Sequence, residues 1–149
     1  MRPSLLLPFF LPLTLASQTS IHNNCAYTLY YAPVDSTPPT PETITPIPPN
    51  TSVFQDEWFD GATGTALKIT KTSDALWANR PVLQLGYTAA EGEVWYDLSS
   101  VNGYDFWGEN VVLAGDREGS ESIEWLGAPG GTRIAHWVGE LGLVLTVCA

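Results

Sequence analysis

Two cysteines, Cys25 and Cys148, stand near opposite ends of a chain of 149 residues, and the chain has no others. If they bond, the fold must bring its ends together, and whether they bond depends on the compartment, because thiols stay reduced in the cytosol and pair in secreted proteins. Arg2 is followed by an apolar run from Leu5 to Leu15 and by small residues at Ala16 and Ser17, the pattern of a secretory signal peptide. That run is too short to span a bilayer, and Pro8 and Pro12 interrupt it. Residues 1–16 are therefore expected to be removed, with a cut after Ser17 as the alternative, leaving one domain of residues 17–149. In an oxidising compartment an even pair of cysteines is expected to bond. Two buried free thiols are the other reading.

Charge narrows the partners. The chain carries 16 acidic and 6 basic side chains and a formal charge of −10. Nucleic-acid binding relies on Lys and Arg displacing counterions from phosphates, and here Lys68, Lys71, Arg80, Arg117 and Arg133 are scattered and outnumbered. Neither nucleic acid nor an anionic membrane surface is expected as a partner, and no second apolar stretch approaches the length of a membrane span.

Short β-branched and aromatic runs recur at Tyr27–Tyr31, Leu67–Thr70, Val82–Tyr87, Glu93–Leu98, Asn110–Leu113 and Leu143–Val147, the signature of strands. Between them Asp60-Gly61, Asn102-Gly103 and Pro129-Gly130-Gly131 read as turns supplied with positive φ. No window of a dozen residues shows apolar spacing of 3.6 without a breaker, so the fold class is all-β, an antiparallel β-sandwich. From Pro33 to Asn50 proline dominates, which predicts an extended surface loop or sheet edge. This segment ends in Asn50-Thr51-Ser52, a glycosylation sequon in the compartment where such sequons are used. An unused sequon is the alternative.

The segment IHNNCAYTLYYA, Ile21 to Ala32, resembles the amino-terminal strand pair of thaumatin-like proteins. VWYDLSSVNGYDF, Val94 to Phe106, resembles their central strand and Gly turn, and LVLTVCA, Leu143 to Ala149, their closing strand. Nearer in size are the small fungal secreted Bys-type, or yeast-phase-specific, proteins. Thr65–Thr70, the WYDLS stretch and Ser122–Trp125 resemble theirs. The resemblance implies a reduced single-domain thaumatin-like β-sandwich whose terminal half-cystines pair. It also implies a remnant of an acidic glucan cleft, with Gln84 at the Glu position, Asp97 retained, and Asn102 in place of an Asp.

Glycoside hydrolysis needs two carboxyl groups about 5 Å or 6.5–9.5 Å apart. Here the expected partners of Asp97 are amides, and Glu93 lies about 13 Å away along the same strand. No enzymatic activity is therefore expected. Strand alternation puts Glu93, Trp95 and Asp97 on one face, where an indole flanked by carboxylate and amide groups suits a sugar. Trp95 either forms that platform or caps the core. His22 and His136 accompany no nucleophile motif and no metal-ligand spacing, so neither a metal nor a cofactor is expected. The acidic run Asp116, Glu118, Glu121 and Glu124 lacks the spaced ligands of a calcium loop. The chain thus reads as a secreted, non-enzymatic protein of the cell surface or wall. Its expected ligand is β-glucan or another wall polysaccharide, held by Gln84, Glu93, Trp95, Asp97 and Asn102, and the alternatives are an effector or antigen with a protein target and a residual β-glucanase.

Overall fold

The computed structural model describes residues 17–149, so the expected signal peptide, residues 1–16, lies outside the described residues. Eleven strands follow in order: β1 (Gln18–Asn23), β2 (Leu29–Val34), β3 (Thr45–Ile47), β4 (Thr51–Asp56), β5 (Thr65–Thr70), β6 (Val82–Ala90), β7 (Glu93–Val101), β8 (Asn110–Gly115), β9 (Ile123–Leu126), β10 (Ile134–Val138) and β11 (Leu143–Val147). They form a five-stranded sheet, β4-β1-β11-β8-β9, and a six-stranded sheet, β10-β7-β6-β5-β2-β3. All pairings are antiparallel except that of β1 with β11. The all-β sandwich expected from the strand runs is what forms.

Register follows the apolar pattern. In the five-stranded sheet Val53, Ile21, Leu145, Leu113 and Ile123 stand side by side in one row. In the other sheet Leu67, Leu85 and Leu98 do the same. All of these but Val53 are buried in the single core between the sheets. Each fully buried Leu or Ile is worth about 1.5–3 kcal/mol relative to exposure. A slip of one residue would turn a whole row to solvent, which fixes the pairing.

Two turns show the backbone chemistry that the strands require. Between β6 and β7 only Glu91 and Gly92 intervene, with φ 55 and 78°, a pair of left-handed residues that matches the twist of a tight hairpin. After β7, Asn102 and Gly103 have φ 57 and 99°, as their sequence predicts. The other two expected turns differ. Gly61 and Gly130-Gly131 do not take positive φ; Gly64 does, at 71°. In the first of these the Asp60 carboxylate shapes the turn by accepting from the Ala62 N–H at 2.8 Å. The proline-rich segment is an edge, as expected: it holds a short 3-10 turn at Pro41–Thr43 and the edge strand β3. Pro33 itself sits in β2 opposite Leu67, beyond the stretch that β3 covers, so its missing N–H leaves no gap in a ladder.

The first and last strands, β1 and β11, meet in the middle of the five-stranded sheet. Parallel pairing of β1 with β11 brings Cys25 and Cys148, 123 residues apart in sequence, to a Cα separation of 5.1 Å, and they form the disulfide. Beside it the fully buried Asn23 ties the two sheets together. Its Nδ2 donates to the carbonyls of Tyr27 at 2.9 Å and Ile47 at 2.8 Å, and its Oδ1 accepts from the Cys25 N–H at 3.0 Å. Reduction of the disulfide is expected to cost up to about 4–5 kcal/mol, read as a lower denaturation midpoint in the presence of reductant. An unchanged midpoint would mean that strand pairing alone holds the ends.

A second consequence concerns Glu57, just past β4. Thr19 Oγ1 donates to its Oε1 at 2.9 Å, whereas Oε2 is buried without a hydrogen-bond partner. Desolvation pushes this carboxyl up to about 7. The folded chain therefore holds the proton more tightly than the unfolded one. The stabilisation is complete below about pH 4.5 and is lost as pH rises through about 7. Glu57→Gln should flatten the stability curve across that window by on the order of 1 kcal/mol, after allowance for partial solvent exposure. Thermal unfolding of both proteins at a series of pH values checks this, and parallel curves would count against it.

Candidate functional site

The six-stranded sheet turns one face to the core and the other to solvent, and the outer face is hollow. Along its central row the register aligns Val34, Ala66, Gly86, Asp97 and Ile134. Ala66 and Gly86 are small, so the middle of the row is a floor, while Lys68, Gln84, Thr88 and Trp95 stand around it. The result is an open groove of ≈ 450 Å³.

Gly86 shapes the position of Asp97. A Cβ at Gly86 would lie 3.0 Å from Asp97 Oδ1, so the bare backbone is what lets the carboxylate fold down onto the floor. Burial there raises the Asp97 pKa, with a backbone contact from Gly86 pulling the other way. Among the described residues no salt bridge compensates the carboxylate.

Trp95 is 45% exposed. The indole stands on the outer side of the sheet and is not part of the core cluster. His136, its partner across the β7–β10 ladder, stacks on it with ring centroids 3.9 Å apart and planes 24° from parallel. The His136 Nε2 lies 3.5 Å from Glu93 Oε2 but is not aligned for a hydrogen bond. The contact is therefore one of charge, present when the imidazole is protonated.

Of the five residues expected at the site, the groove brings together Gln84, Trp95 and Asp97. Glu93 shares their face of β7 but stands beyond Trp95, against His136, and lines a different cavity with Glu57 and Glu140. Asn102 is not in the groove; it is an exposed turn residue whose positive φ serves the chain reversal after β7. Lys68, Gly86, Ile134 and His136 were missed. Lys68 and Gly86 had a signal in the alternation of β5 and β6. His136 and Ile134 had none, because nothing local reveals that β10 is the neighbour of β7.

Asp35 also lines the groove, but its carboxylate is engaged. Oδ2 accepts from Trp58 Nε1 at 3.2 Å and Oδ1 from the Thr37 N–H at 2.6 Å, which fastens the start of the proline-rich segment to the domain. Among the described residues, no group of three or more His, Cys, Asp or Glu side chains is arranged to hold a metal ion, and no helix is long and apolar enough to cross a membrane.

Fold and groove define a small β-sandwich, closed by one disulfide, with a concave outer sheet face. The chain belongs to the Bys1 family, described as Blastomyces yeast-phase-specific protein, whose model matches residues 8–149. No curated protein matches it. Among solved structures it is similar to the protein elicitor MoHrip2 from Magnaporthe oryzae, with a TM-score of 0.70 and 22% identity, over 90% of this chain and all of that one. These findings overturn the thaumatin-like assignment: the matching family is Bys1 and the structural likeness is to an elicitor. Two of the segments that suggested thaumatin carry the bonded cysteines and the third is β7 with the turn after it, features that a sandwich joined by its first and last strands can share whatever its family. The carry-over of a cleft fails in the same way, since Asn102 lies in a turn outside the groove.

The strained electrostatics of Asp97 can be tested directly. Its raised pKa means that its stabilising effect is fullest below about pH 3.8 and is lost as pH rises through the folded-state value. Asp97→Asn is expected to raise the melting temperature at pH 7 and to leave it nearly unchanged at pH 3. A variant less stable at pH 7 would show that the carboxylate supports the fold.

Proposed function

We propose that this Bys1-family chain is a secreted, non-enzymatic recognition protein that works outside the cell and binds a neutral, polyhydroxylated chain such as a wall β-glucan in the groove. The observation that carries this is the half-exposed Trp95 beside Gln84, Asp97 and Lys68. A flat aromatic surface stacks on sugar C–H bonds while short polar groups take up hydroxyls. Lys68 and the Asp carboxylates give the groove both signs of charge, which favours an uncharged ligand.

The absence of catalysis is part of the proposal. Gln84, which lines the groove with Asp97, is an amide and can serve as neither a general acid nor a general base. Val34, next to Asp35, and Asp97 are three strand intervals apart, about 14 Å between Cα atoms at the usual sheet spacing. That spacing does not favour the carboxylate pair of a retaining or inverting hydrolase. Secretion rests on the pattern of residues 1–16, the disulfide and membership of a family of fungal proteins.

A protein target, as for an effector, is the second reading. Ile134 and Val138 are 60% and 70% exposed on the edge strand β10, on the same face as Trp95, and apolar side chains on an unpaired edge suit a partner chain. The likeness to an elicitor supports it at the level of fold alone.

Retention on insoluble β-1,3-glucan separates the two. The wild type is expected to be retained, with at least tenfold weaker retention for Trp95→Ala and a smaller loss for Asp97→Ala. No retention of the wild type would sink the glucan reading and leave the protein target. Release of reducing sugar that disappears in Asp97→Ala would overturn the non-enzymatic one.

A further inference from the structure

At one side of the sandwich both sheets end in a strand that has no further strand partner among the described residues. β4 pairs only with β1 and β3 only with β2, so each carries an edge without a neighbour. The link between these strands is short: β3 ends at Ile47 and β4 begins at Thr51. Asn50 lies in that link, at the corner where the two edges meet. It is exposed, it has φ 56°, and its backbone N–H donates to the Asn23 carbonyl at 2.7 Å. The backbone of the corner is thus held by the buried Asn23, while the Asn50 side chain projects from an ordered turn.

Asn50-Thr51-Ser52 meets the acceptor rule: the middle residue is not Pro and the third bears a hydroxyl. Ser52 is exposed. Pro46, Pro48 and Pro49 precede the sequon and keep the chain extended before folding, so the acceptor is open to the modifying enzyme at that stage. Chain position, exposure and the hydroxyl therefore agree.

We propose that Asn50 is an N-glycosylation site and that its glycan stands over the paired edges of β3 and β4. The donor is a polyprenyl-pyrophosphate-linked oligosaccharide of the secretory pathway. The Asn50 amide nitrogen forms a bond to sugar C1, the bond from C1 to the pyrophosphate oxygen breaks, and the amide proton leaves with the polyprenyl pyrophosphate; no electrons are exchanged. Unpaired edges template association with other chains, and a bulky hydrophilic group at this corner blocks both edges together. The opposite side of the sandwich, with β9, β10 and the exposed Ile134 and Val138, stays open. One side is covered by sugar and the other is left for a partner.

This inference rests on the secretion reading, and the test separates the two. The full chain is produced in a eukaryotic host in two forms, one with its own amino terminus and one behind a proven secretory leader. The leader-fused protein is expected to show a mass above that of the polypeptide. Peptide N-glycosidase should remove the excess and leave Asp at position 50. Asn50→Gln strains a left-handed position, so Ser52→Ala, which leaves Asn50 in place, is the deciding variant and should lose the added mass, while Ser52→Thr should keep it. An unmodified wild type, or an added mass that survives Ser52→Ala, overturns the proposal. Retention of the unfused chain inside the cell overturns the secretion reading, and the leader-fused form still decides the glycan.

Discussion

The parallel pairing of β1 with β11 is the constraint on which the rest of the sandwich depends. It places the first and last strands side by side at the centre of one sheet, where every residue of β1 has a neighbour in β4 or β11. Ends usually fray because few contacts hold them. Here they are internal strands, and the Cys25–Cys148 bond forms just past the last paired residues, Asn23 and Val147. The buried side chain of Asn23 extends the tie to the other sheet through Ile47. An apolar residue could not replace it, because the carbonyls of Tyr27 and Ile47 would lose their donor in the interior, at about 1–3 kcal/mol for each buried group left unsatisfied.

With the ends fixed, the groove follows from alternation in the other sheet. Inward positions of β5, β6 and β7 carry Leu67, Leu85 and Leu98, and the positions one residue along carry Ala66, Gly86 and Asp97. The same register therefore specifies a large-residue core row and a small-residue outer row. Small residues at Ala66 and Gly86 do nothing for packing on a solvent face, where Thr or Val would stiffen the strands. The desolvated Asp97 adds an electrostatic cost at neutral pH. A stretch of sheet that gives up both propensity and charge stability is where local preferences are overridden for another purpose.

The readable parts of the sequence were those where one strand carries its own pattern. Tyr27–Tyr31, Leu67–Thr70, Val82–Tyr87, Glu93–Leu98, Asn110–Leu113 and Leu143–Val147 overlap β2, β5, β6, β7, β8 and β11. β1 is different: Thr19, Ser20 and Asn23 are buried polar residues, satisfied by Glu57, the Leu143 carbonyl and the Ile47 carbonyl. Such a strand has no local signature, since its partners are distant in sequence. β3 and β10 are edges of three and five residues and owe their form to β2 and β7. The candidate site divides along the same line. Trp95 and Asp97 could be read from the alternation of one strand, whereas the Trp95–His136 stack needed knowledge of which strand lies beside β7. Asn102 entered through resemblance to a cleft that this fold does not build.

Charge, which excluded partners at the outset, has a more limited meaning once its distribution is known. Asp116, Glu118, Glu121 and Glu124 belong to β9 or to the connection that leads from β8 to it, in the five-stranded sheet. Two of them are structural: Asp116 accepts from the Gly142 N–H at 3.0 Å, and Glu121 pairs with Arg133. A Cβ at Gly142 would lie 2.7 Å from Asp116 Oδ2 and 2.9 Å from the Gln18 carbonyl, so this contact holds the entry to β11 beside the start of β1. The groove, on the outer face of the other sheet, contains Lys68 as well as carboxylates. The formal charge of −10 is therefore a property of the field of the whole surface, while the groove itself presents Trp95, amide and hydroxyl groups beside charges of both signs.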